Sequence, residues 1–316
     1  MISLPTISRI ETAYKTIDPV FLNSPQFELD SLNELLGFRL INKLETLNPI
    51  RSFKGRGTDW LISQADKVQP LVCASAGNFG QGMAYCARKL GIPMTVFASE
   101  KANPLKLEKM RAFGAEVKLA GQDFDAAKAE ARSYAAKIGA RFVEDSKDIE
   151  TAEGAGTIGL ELLNFPVSFD AVLVPVGNGA LINGIGAYFK AKSPTSKIIG
   201  LVAEKAPSME LSWQQKKIIE TDTADTIADG IAVRIPVPEA VYAMAHTVDE
   251  MVELSEADIM AAMRLGHEQL GLVLEPSGAV GLAAAQKYKD RFQGQMLATI
   301  YCGSNLSAEQ MKQYLA

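Results

Sequence analysis

The most reactive group that the sequence offers is the amine of Lys54, which lies in the segment Asn-Pro-Ile-Arg-Ser-Phe-Lys-Gly-Arg-Gly-Thr at residues 48–58. A lysine amine attacks carbonyl carbons, and in its neutral form it accepts a proton. Pro49 cannot continue a preceding helix and favours an extended Asn48, so we expect a helix to begin near Lys54. A lysine at such a junction reaches into a cleft. Taken alone, the same residues also fit a solvated turn.

Four further glycine-containing motifs follow Lys54 along the chain. They are Ser-Ala-Gly-Asn-Phe-Gly-Gln-Gly at 75–82, Val-Gly-Asn-Gly-Ala-Leu at 176–181, Glu-Pro-Ser-Gly-Ala at 275–279 and Tyr-Cys-Gly-Ser-Asn at 301–305. Together with Ser-Phe-Lys at 52–54, this ordered series resembles the pyridoxal-phosphate enzymes of the threonine and serine dehydratase family, the fold type II group. The resemblance extends from Leu36 to Leu306 and covers nearly the full chain.

The resemblance implies that Lys54 carries pyridoxal 5'-phosphate covalently, with Phe53 beside it. It places the cofactor phosphate on the turn formed by Gly177, Asn178, Gly179, Ala180 and Leu181. This turn lies between a predicted strand and a predicted helix, where backbone amides and the helix dipole bind anions. Read alone, its glycines also fit a tight turn with no ligand.

The phosphate turn departs from the family pattern, which has four consecutive glycines. Here Asn178 and Ala180 replace two of them. Alanine adds one methyl group, and asparagine is the residue other than glycine that best tolerates a positive φ, so we expect the turn to bind phosphate still. A nicotinamide dinucleotide site is disfavoured, because the G-x-G-x-x-G spacing and its following acid are absent.

The motif Ser75, Ala76, Gly77 and Asn78 ends a predicted strand and opens a predicted helix. Its amides therefore make a second anion site, suited to the carboxylate of an amino acid. The resemblance implies that Asn78 also donates a hydrogen bond to the 3'-oxygen of the cofactor. The family more often has His-Ala after this asparagine, whereas this chain has Phe-Gly, which alters the pocket wall. Asn78 also fits a plain helix cap.

Two further positions complete the cofactor site that the resemblance implies. Cys302 matches the serine or cysteine that the family places against the pyridine nitrogen, and Gly230 matches a turn that passes the ring. A thiol cannot protonate that nitrogen as a carboxylic acid would, so we expect a moderate electron sink that favours β-elimination. Read alone, Cys302 is also a small buried apolar residue, and Gly230 belongs to an ordinary turn. Glu275 either lines the site or caps a helix.

Composition limits the partners of the chain. Its 316 residues include 47% hydrophobic side chains, enough for about two domains with buried cores. The net charge of −5 and the lack of a long basic run predict no binding to nucleic acid or membrane, and small-molecule ligands instead. Glu204 and Glu210 fall near positions where some relatives bind a divalent cation. Two carboxylates at this spacing also fit a solvated surface, and the sequence leaves the metal unknown.

Apolar segments alternate with helical patterns along most of the chain. Strands are expected at residues 71–74, 94–97, 116–119, 171–176, 198–203, 251–254 and 296–301. Helices are predicted at residues 78–90, 104–113, 124–138, 180–189, 256–270 and 277–287. This alternation predicts parallel sheets with right-handed crossovers. The first 35 residues, which contain three prolines, are expected to form an irregular lead-in.

We infer an α/β protein of two three-layer domains with mostly parallel sheets, the fold type II architecture that the resemblance implies. Residues 69–147 are expected to form a small α/β domain that carries the substrate carboxylate loop. Residues 1–68 and 148–316 are expected to form the large cofactor-binding domain, with Lys54 near the cleft. We expect no C-terminal regulatory domain, targeting segment or membrane span, and therefore a cytoplasmic enzyme. Relatives of the resembling family commonly pair, which favours a homodimer.

The activity that this reading predicts is β-elimination from a β-hydroxy amino acid such as L-threonine or L-serine, giving a 2-oxo acid and ammonia. Racemases of the resembling family have a serine at the position of Ala76, and a methyl group cannot carry a proton, so we favour a dehydratase over a racemase. Ala155 stands where the family commonly has glutamine, which leaves the substrate side chain open. The alternatives are β-replacement on an activated serine, racemisation, and a non-catalytic ligand-binding relative.

Overall fold

A computed structural model describes residues 3–102 and 104–315. The strands in chain order are β1 (Gln26–Phe27), β2 (Arg39–Leu44), β3 (Leu71–Ala74), β4 (Met94–Ala98), β5 (Glu116–Leu119), β6 (Arg141–Val143), β7 (Ala171–Pro175), β8 (Lys197–Ala203), β9 (Glu250–Leu254) and β10 (Met296–Tyr301). The helices are α1 (Ile7–Thr16), α2 (Asp30–Leu36), α3 (Lys54–Ser63), α4 (Asn78–Leu90), α5 (Pro104–Ala112), α6 (Phe124–Ile138), α7 (Glu150–Leu163), α8 (Ala180–Lys192), α9 (Ser208–Gln215), α10 (Pro238–Thr247), α11 (Glu256–Leu270), α12 (Pro276–Lys287) and α13 (Ala308–Leu315).

Six strands form one sheet in the order β1-β2-β10-β7-β8-β9, in which only the edge strand β1 runs antiparallel to its neighbour. The central strand β7 is buried along its whole length, as expected for a parallel strand covered on both faces. Its side chains alternate between two cores, because Leu173 packs with one cluster while Val172 and Val174 pack with the other. The sheet is therefore the middle layer of three.

The remaining four strands form a second, fully parallel sheet in the order β5-β4-β3-β6. Cys73 of β3 packs into the core on one face, and Val72 packs against Ala131 and Ala135 of α6 on the other. This sheet is also covered on both sides, so the predicted α/β class with mostly parallel sheets is confirmed. All four strands lie within residues 69–147, although the domain boundaries themselves stay a prediction.

The prediction of an irregular lead-in was wrong, because this region contains α1, α2 and β1. Ile10, Ala13 and Ile17 are buried at a helical spacing of three and four residues, which gives α1 an apolar face. The prolines do not interrupt these helices. Pro19 begins a separate 3-10 turn, and Pro25 lies between that turn and β1.

Strands from both sheets end at one cleft, where the candidate residues follow their carboxyl ends. Ser75 follows β3, Asp145 lies two residues after β6, Gly177 follows β7 and Cys302 follows β10. Ligands of open α/β sheets bind beyond the carboxyl ends of the strands, so the topology alone brings these residues to the expected place. In the part of the chain that is described, none of the helices has the length and apolar character needed to cross a bilayer.

Candidate active site

Lys54 is the first residue of α3, and backbone contacts to the end of β10 fix its position. The Phe53 amide donates to the Cys302 carbonyl at 3.0 Å, and Ser52 pairs with Gly303 as an isolated bridge. The Lys54 Nζ donates to Asp145 Oδ2 at 2.6 Å and lies 4.7 Å from the centre of the Phe53 ring. The predicted helix start near Lys54 is confirmed, and the amine projects to the boundary between the two sheets.

Asp145 is a site residue that sequence reasoning missed. Its Oδ2 accepts a hydrogen bond from the Lys54 ammonium group, whereas its Oδ1 is buried and has no hydrogen-bond partner among the described residues. No motif surrounds Asp145 in the sequence. The available signal was its place after the short segment Arg-Phe-Val at 141–143, but pairing it with Lys54 required the strand order β3-β6, which sequence periodicity does not give. We call Lys54 and Asp145 the lysine pair.

The predicted phosphate turn is an open cradle of backbone amides at the start of α8. Among the described residues, the amides of Gly177, Asn178 and Gly179 have no acceptor, while the Ala180 amide donates to Ser146 Oγ at 3.0 Å. Gly179 has a φ of +102°, and a Cβ at Gly177 would lie 2.6 Å from the Gly230 carbonyl oxygen. The turn thus requires these two glycines and offers unpaired donors to an anion.

The two departures from the family's glycine run cause no backbone strain. Asn178 and Ala180 are both absent from the residues with positive φ, so neither needs the conformation that glycine alone adopts easily. Only Gly179 does. The tolerance of asparagine for positive φ, on which the sequence argument relied, is therefore not used at this position.

The predicted carboxylate loop is organised by the hydroxyl of Ser75. Its Oγ accepts hydrogen bonds from the Gly77 amide at 3.2 Å and from the Gly80 amide at 3.0 Å. The amides of Ala76, Asn78 and Phe79 have no acceptor in the described part of the chain. Ser75 therefore shapes the loop, and these three amides at the start of α4 are free to bind an anion.

A hydrogen-bonded wall of Asn78, Glu275 and Asn305 lies beside these loops. Asn78 Nδ2 donates to Glu275 Oε1 at 2.7 Å, and the Asn305 amide donates to Glu275 Oε2 at 3.0 Å. Asn305 Nδ2 donates to Asn78 Oδ1 at 2.8 Å. Glu275 makes no side-chain cap to α12, and burial raises the pKa of its carboxyl group. Of the two interpretations that the sequence left open, the structure supports the wall.

Cys302 and Gly230 meet at the same wall through Ser277. The Cys302 Sγ donates to the Ser277 carbonyl at 3.4 Å, and the Gly230 amide donates to Ser277 Oγ at 2.9 Å. Burial raises the pKa of the Cys302 thiol well above its usual range, so the thiol stays neutral. A neutral thiol suits a pyridine nitrogen that is not protonated.

The residues present fit pyridoxal phosphate. They supply an amine for the aldehyde at Lys54, an amide cradle for the phosphate at 177–179, and a neutral thiol for the ring nitrogen. A Cβ at Gly177 would lie 2.6 Å from the Gly230 carbonyl oxygen, so the cradle keeps its shape only with glycine at this position. A cavity of about 90 Å³ lies between the carboxylate loop and Asn178, with Asp145 in its lining. The assignment of each residue to its role stays a prediction.

The carboxylates considered for a metal give no ligand set. Glu210 is buried rather than solvated, and its carboxyl group interacts with that of Glu253. Burial, followed by the Glu253 carboxyl group, raises the pKa of Glu210 to about 7. Within residues 3–102 and 104–315, no group of three or more His, Cys, Asp or Glu side chains is arranged to hold a metal ion.

A second set of charges lies directly behind Lys54, and we call it the arginine cluster: Arg56, Glu45, Glu161 and Lys43. Arg56 is fully buried and donates to Glu45 Oε1 at 2.8 Å and to Glu161 Oε1 at 2.7 Å. Its Nη1 also donates to Thr157 Oγ1 at 3.0 Å, and Lys43 Nζ donates to Glu161 Oε2. Both carboxylates are thereby satisfied without any ligand.

Comparison with known proteins agrees with this geometry. A profile of the family described as "Pyridoxal-phosphate dependent enzyme" matches residues 17–303. The L-threonine ammonia-lyase of Thermotoga maritima is 36% identical over 304 residues, which cover 95% of this chain and 76% of that protein. Processed threonine deaminase isoform 2 from Solanum lycopersicum is 28% identical with a TM-score of 0.90, covering 99% of this chain and 94% of that chain.

A racemase is similar in structure as well. The structure of maize serine racemase is 26% identical with a TM-score of 0.92, covering 98% of this chain and 97% of that chain. Fold similarity alone therefore does not separate elimination from racemisation. The match to the family profile spans most of the chain, and so the chain belongs to the pyridoxal-phosphate dependent enzyme family.

Proposed function

We propose that this protein catalyses pyridoxal-phosphate dependent β-elimination from a β-hydroxy amino acid such as L-threonine or L-serine, releasing a 2-oxo acid and ammonia. The observation that carries the proposal is the position of the Lys54 amine, at a cleft where two loops present unpaired backbone amides. One loop suits the cofactor phosphate and the other suits a substrate carboxylate. The name of the Thermotoga maritima relative supports the same reaction class.

In this proposal, Gly177, Asn178 and Gly179 would hold the cofactor phosphate, and Cys302 would face the ring nitrogen. The bound cofactor supplies an electron sink for the negative charge that develops at the substrate Cα. The amides of Ala76 and Asn78 hold the substrate carboxylate and so fix which bond at Cα is aligned for cleavage.

Lys54 is the base of the reaction. As a neutral amine it would take the Cα proton, and the ammonium group so formed would give a proton to the β-hydroxyl group, which leaves Cβ as water. The unsaturated product loses its amino group to water after release, which gives the 2-oxo acid and ammonia. Ala76 has no proton to deliver to the opposite face of Cα, and this favours elimination over racemisation.

The test is product analysis with purified, cofactor-loaded protein. L-Serine and L-threonine should each give equal amounts of ammonia and 2-oxo acid, and the Lys54→Ala variant should give neither. Release of D-serine without 2-oxo acid would instead identify a racemase. A protein that stays colourless after incubation with the cofactor, with Lys54 intact, would identify a non-catalytic relative.

We also propose that the protein works in the cytoplasm and as a homodimer. Both proposals rest on the composition of the chain and on the pairing that is common in the resembling family. Light scattering of the purified protein would test the dimer, and fractionation of its source cells would test the location.

A further inference from the structure

The group that the proposed mechanism leaves unused is the free oxygen of Asp145. Asp145 Oδ2 is 2.6 Å from Lys54 Nζ, yet its Oδ1 is buried and has no partner in the described part of the chain. A buried carboxylate oxygen without a donor costs free energy unless a ligand supplies one. Because Lys54 contacts the other oxygen, that ligand group lies close to the reacting amine.

The surroundings of Asp145 show what kind of donor is missing. The cavity beside it is bounded by Ser75 of the carboxylate loop and by Asn178 of the phosphate turn. A substrate whose carboxylate is held by the carboxylate loop, with the cofactor phosphate on the other turn, therefore lies in a cavity that Asp145 lines. The charged side chains of the lining are Lys128, Glu144 and Asp145, and Lys128 is paired with Glu144. The charge of Asp145 has no counter-ion there other than Lys54.

Covalent attachment to the cofactor changes the role of Lys54. Its nitrogen would then have no ammonium hydrogens to share with Asp145, so both carboxylate oxygens would need a donor when a substrate first enters the site. A hydroxyl group supplies one hydrogen and no charge. An ammonium group supplies three hydrogens and the missing positive charge, and charge-assisted bonds of this kind are the stronger ones.

We propose that this site also takes 2,3-diamino acids, with Asp145 binding the β-ammonium group. The inference rests on the proposed function, since the same Lys54 base and the same elimination are used. It assigns to Asp145 a role in selecting the substituent on Cβ.

The chemistry favours an ammonium group beside a carboxylate. Lys54 takes the Cα proton, the Cβ–N bond breaks, and its electron pair leaves on nitrogen as neutral ammonia. No further proton is needed, because the β-ammonium group already carries it. A hydroxyl leaving group, by contrast, must gain a proton that a carboxylate does not supply. Hydrolysis of the unsaturated product by water then gives a 2-oxo acid and a second molecule of ammonia.

Steady-state kinetics with L-2,3-diaminopropionate and L-serine tests this proposal. The diamino acid should give two ammonia molecules per 2-oxo acid, whereas serine gives one. We expect kcat/KM for the diamino acid to exceed that for serine by roughly tenfold, as is typical when a polar site meets its charged partner. In the Asp145→Asn variant this ratio should fall by roughly tenfold or more. The matched Asp290→Asn variant, which changes an exposed aspartate, should keep the ratio of the parent.

Binding provides a second readout that does not depend on turnover. Calorimetric titration of the cofactor-loaded Lys54→Ala variant should give a lower Kd for L-2,3-diaminopropionate than for L-serine. The double variant Lys54→Ala, Asp145→Asn should lose this preference. If Asp145→Asn alone does not fold or retain the cofactor, the ratio in the parent and the two Kd values decide the matter.

The inference fails if serine is turned over while the diamino acid is not, or if Asp145→Asn lowers kcat/KM for both by the same factor. The second result would mean that Asp145 only positions Lys54. Either outcome leaves the proposed function intact. The proposed function itself fails if no 2-oxo acid forms from any amino acid, and the Kd comparison would then still test Asp145.

Discussion

Two sets of charges share helix α3 but differ in completeness. Lys54 and Arg56 are only two residues apart; Lys54 contacts the carboxylate of Asp145, whereas Arg56 contacts those of Glu45 and Glu161. In the arginine cluster, Glu45 and Glu161 are satisfied by protein donors alone. In the lysine pair, one carboxylate oxygen is buried without a donor. Folding alone satisfies every carboxylate oxygen of the arginine cluster, but it leaves one oxygen of the lysine pair without a hydrogen-bond donor.

This difference separates charges that hold the fold from charges that await a ligand. A fully satisfied buried network makes the surrounding elements rigid and specific, but it has no donor or acceptor left for chemistry. An incomplete pair costs stability and keeps binding capacity. Burial alone therefore does not distinguish a structural charge from a ligand-binding one, and an unfilled hydrogen-bond position beside a cleft marks a candidate for ligand binding.

The sharpest test of the comparison is Lys54→Ala, with an expected loss of more than about a thousandfold in kcat for ammonia release, because the base and the cofactor attachment are both removed. The free energy of unfolding of the cofactor-free protein should fall by only about 1–2 kcal/mol, since the ion pair that is lost is partly exposed, at 16% for the Lys54 side chain and 14% for that of Asp145. Product assays and urea unfolding measure the two effects. Residual activity within tenfold of the parent would show that another group is the base.

The opposite test is Arg56→Met, which keeps much of the side-chain volume and removes the charge. Glu45 and Glu161 would then be buried with fewer donors, so we expect the free energy of unfolding to fall by about 3–5 kcal/mol. The variant Arg264→Met, which alters an exposed residue of α11, is the control and should unfold like the parent within about 0.5 kcal/mol. Urea unfolding of both variants is the measurement. An unchanged midpoint for Arg56→Met would remove the distinction between the two sets.

Glu210 is a second buried carboxyl group with an oxygen that lacks a hydrogen-bond partner among the described residues, but no cleft adjoins it, so we expect it to affect stability and not activity. Its Oε2 is buried and has no partner in residues 3–102 and 104–315, and burial raises the pKa of the carboxyl group to about 7. Between about pH 4.5 and pH 7 the unfolded chain loses this proton while the folded chain keeps it, so stability falls as pH rises through this window. Glu210→Gln removes this loss.

We therefore expect Glu210→Gln to raise the free energy of unfolding by about 1–2 kcal/mol at pH 8 and to leave it nearly unchanged at pH 4, after allowing for partial solvation. Urea unfolding at both pH values measures the difference, and Glu239→Gln on the first turn of α10 is the control. An equal gain at both pH values would mean that the side-chain shape, and not its proton, matters. Elimination activity should be unaffected.

The smallest expected effect belongs to Ala76→Ser, which adds a hydroxyl group to the carboxylate loop. A hydroxyl on the opposite face of Cα from the lysine supplies the proton that Ala76 lacks, and we expect D-serine at about one molecule per hundred eliminations. Chiral chromatography of the products detects it. The control is Ala120→Ser outside the cleft, which should give none. Absence of D-serine from both variants would remove the Ala76 argument against racemisation.

Much of the fold follows from local signals in the chain. The predicted bounds of α4, α6 and α11 are confirmed, because each ends at a glycine with positive φ: Gly91, Gly139 and Gly271. The prediction for the first 35 residues was wrong because their prolines were interpreted as breaks in regular structure, whereas they lie at the borders of short elements. Several elements, among them α7 and β6, were not predicted at all.

The candidate site residues that belong to sequence motifs were predicted, whereas the one that only the strand order brings to the cleft was not. Lys54, Asn78 and Cys302 belong to motifs whose spacing is visible in sequence, and the structure brings them to one cleft. Asp145 has no such surroundings. Its contact with Lys54 joins residues 91 positions apart through the order of strands in the smaller sheet, and single-sequence patterns do not determine strand order.

Ser146 has a φ of +67°, a conformation that a residue with a side chain adopts only when neighbours impose it. Its hydroxyl accepts from the Ala180 amide, while the preceding Asp145 contacts Lys54. In the proposed site, cofactor retention and substrate choice would thus depend on two adjacent residues, Ser146 and Asp145. A substitution that altered substrate choice at Asp145 would then also have to preserve the contact of Ser146 with the Ala180 amide beside the proposed phosphate turn.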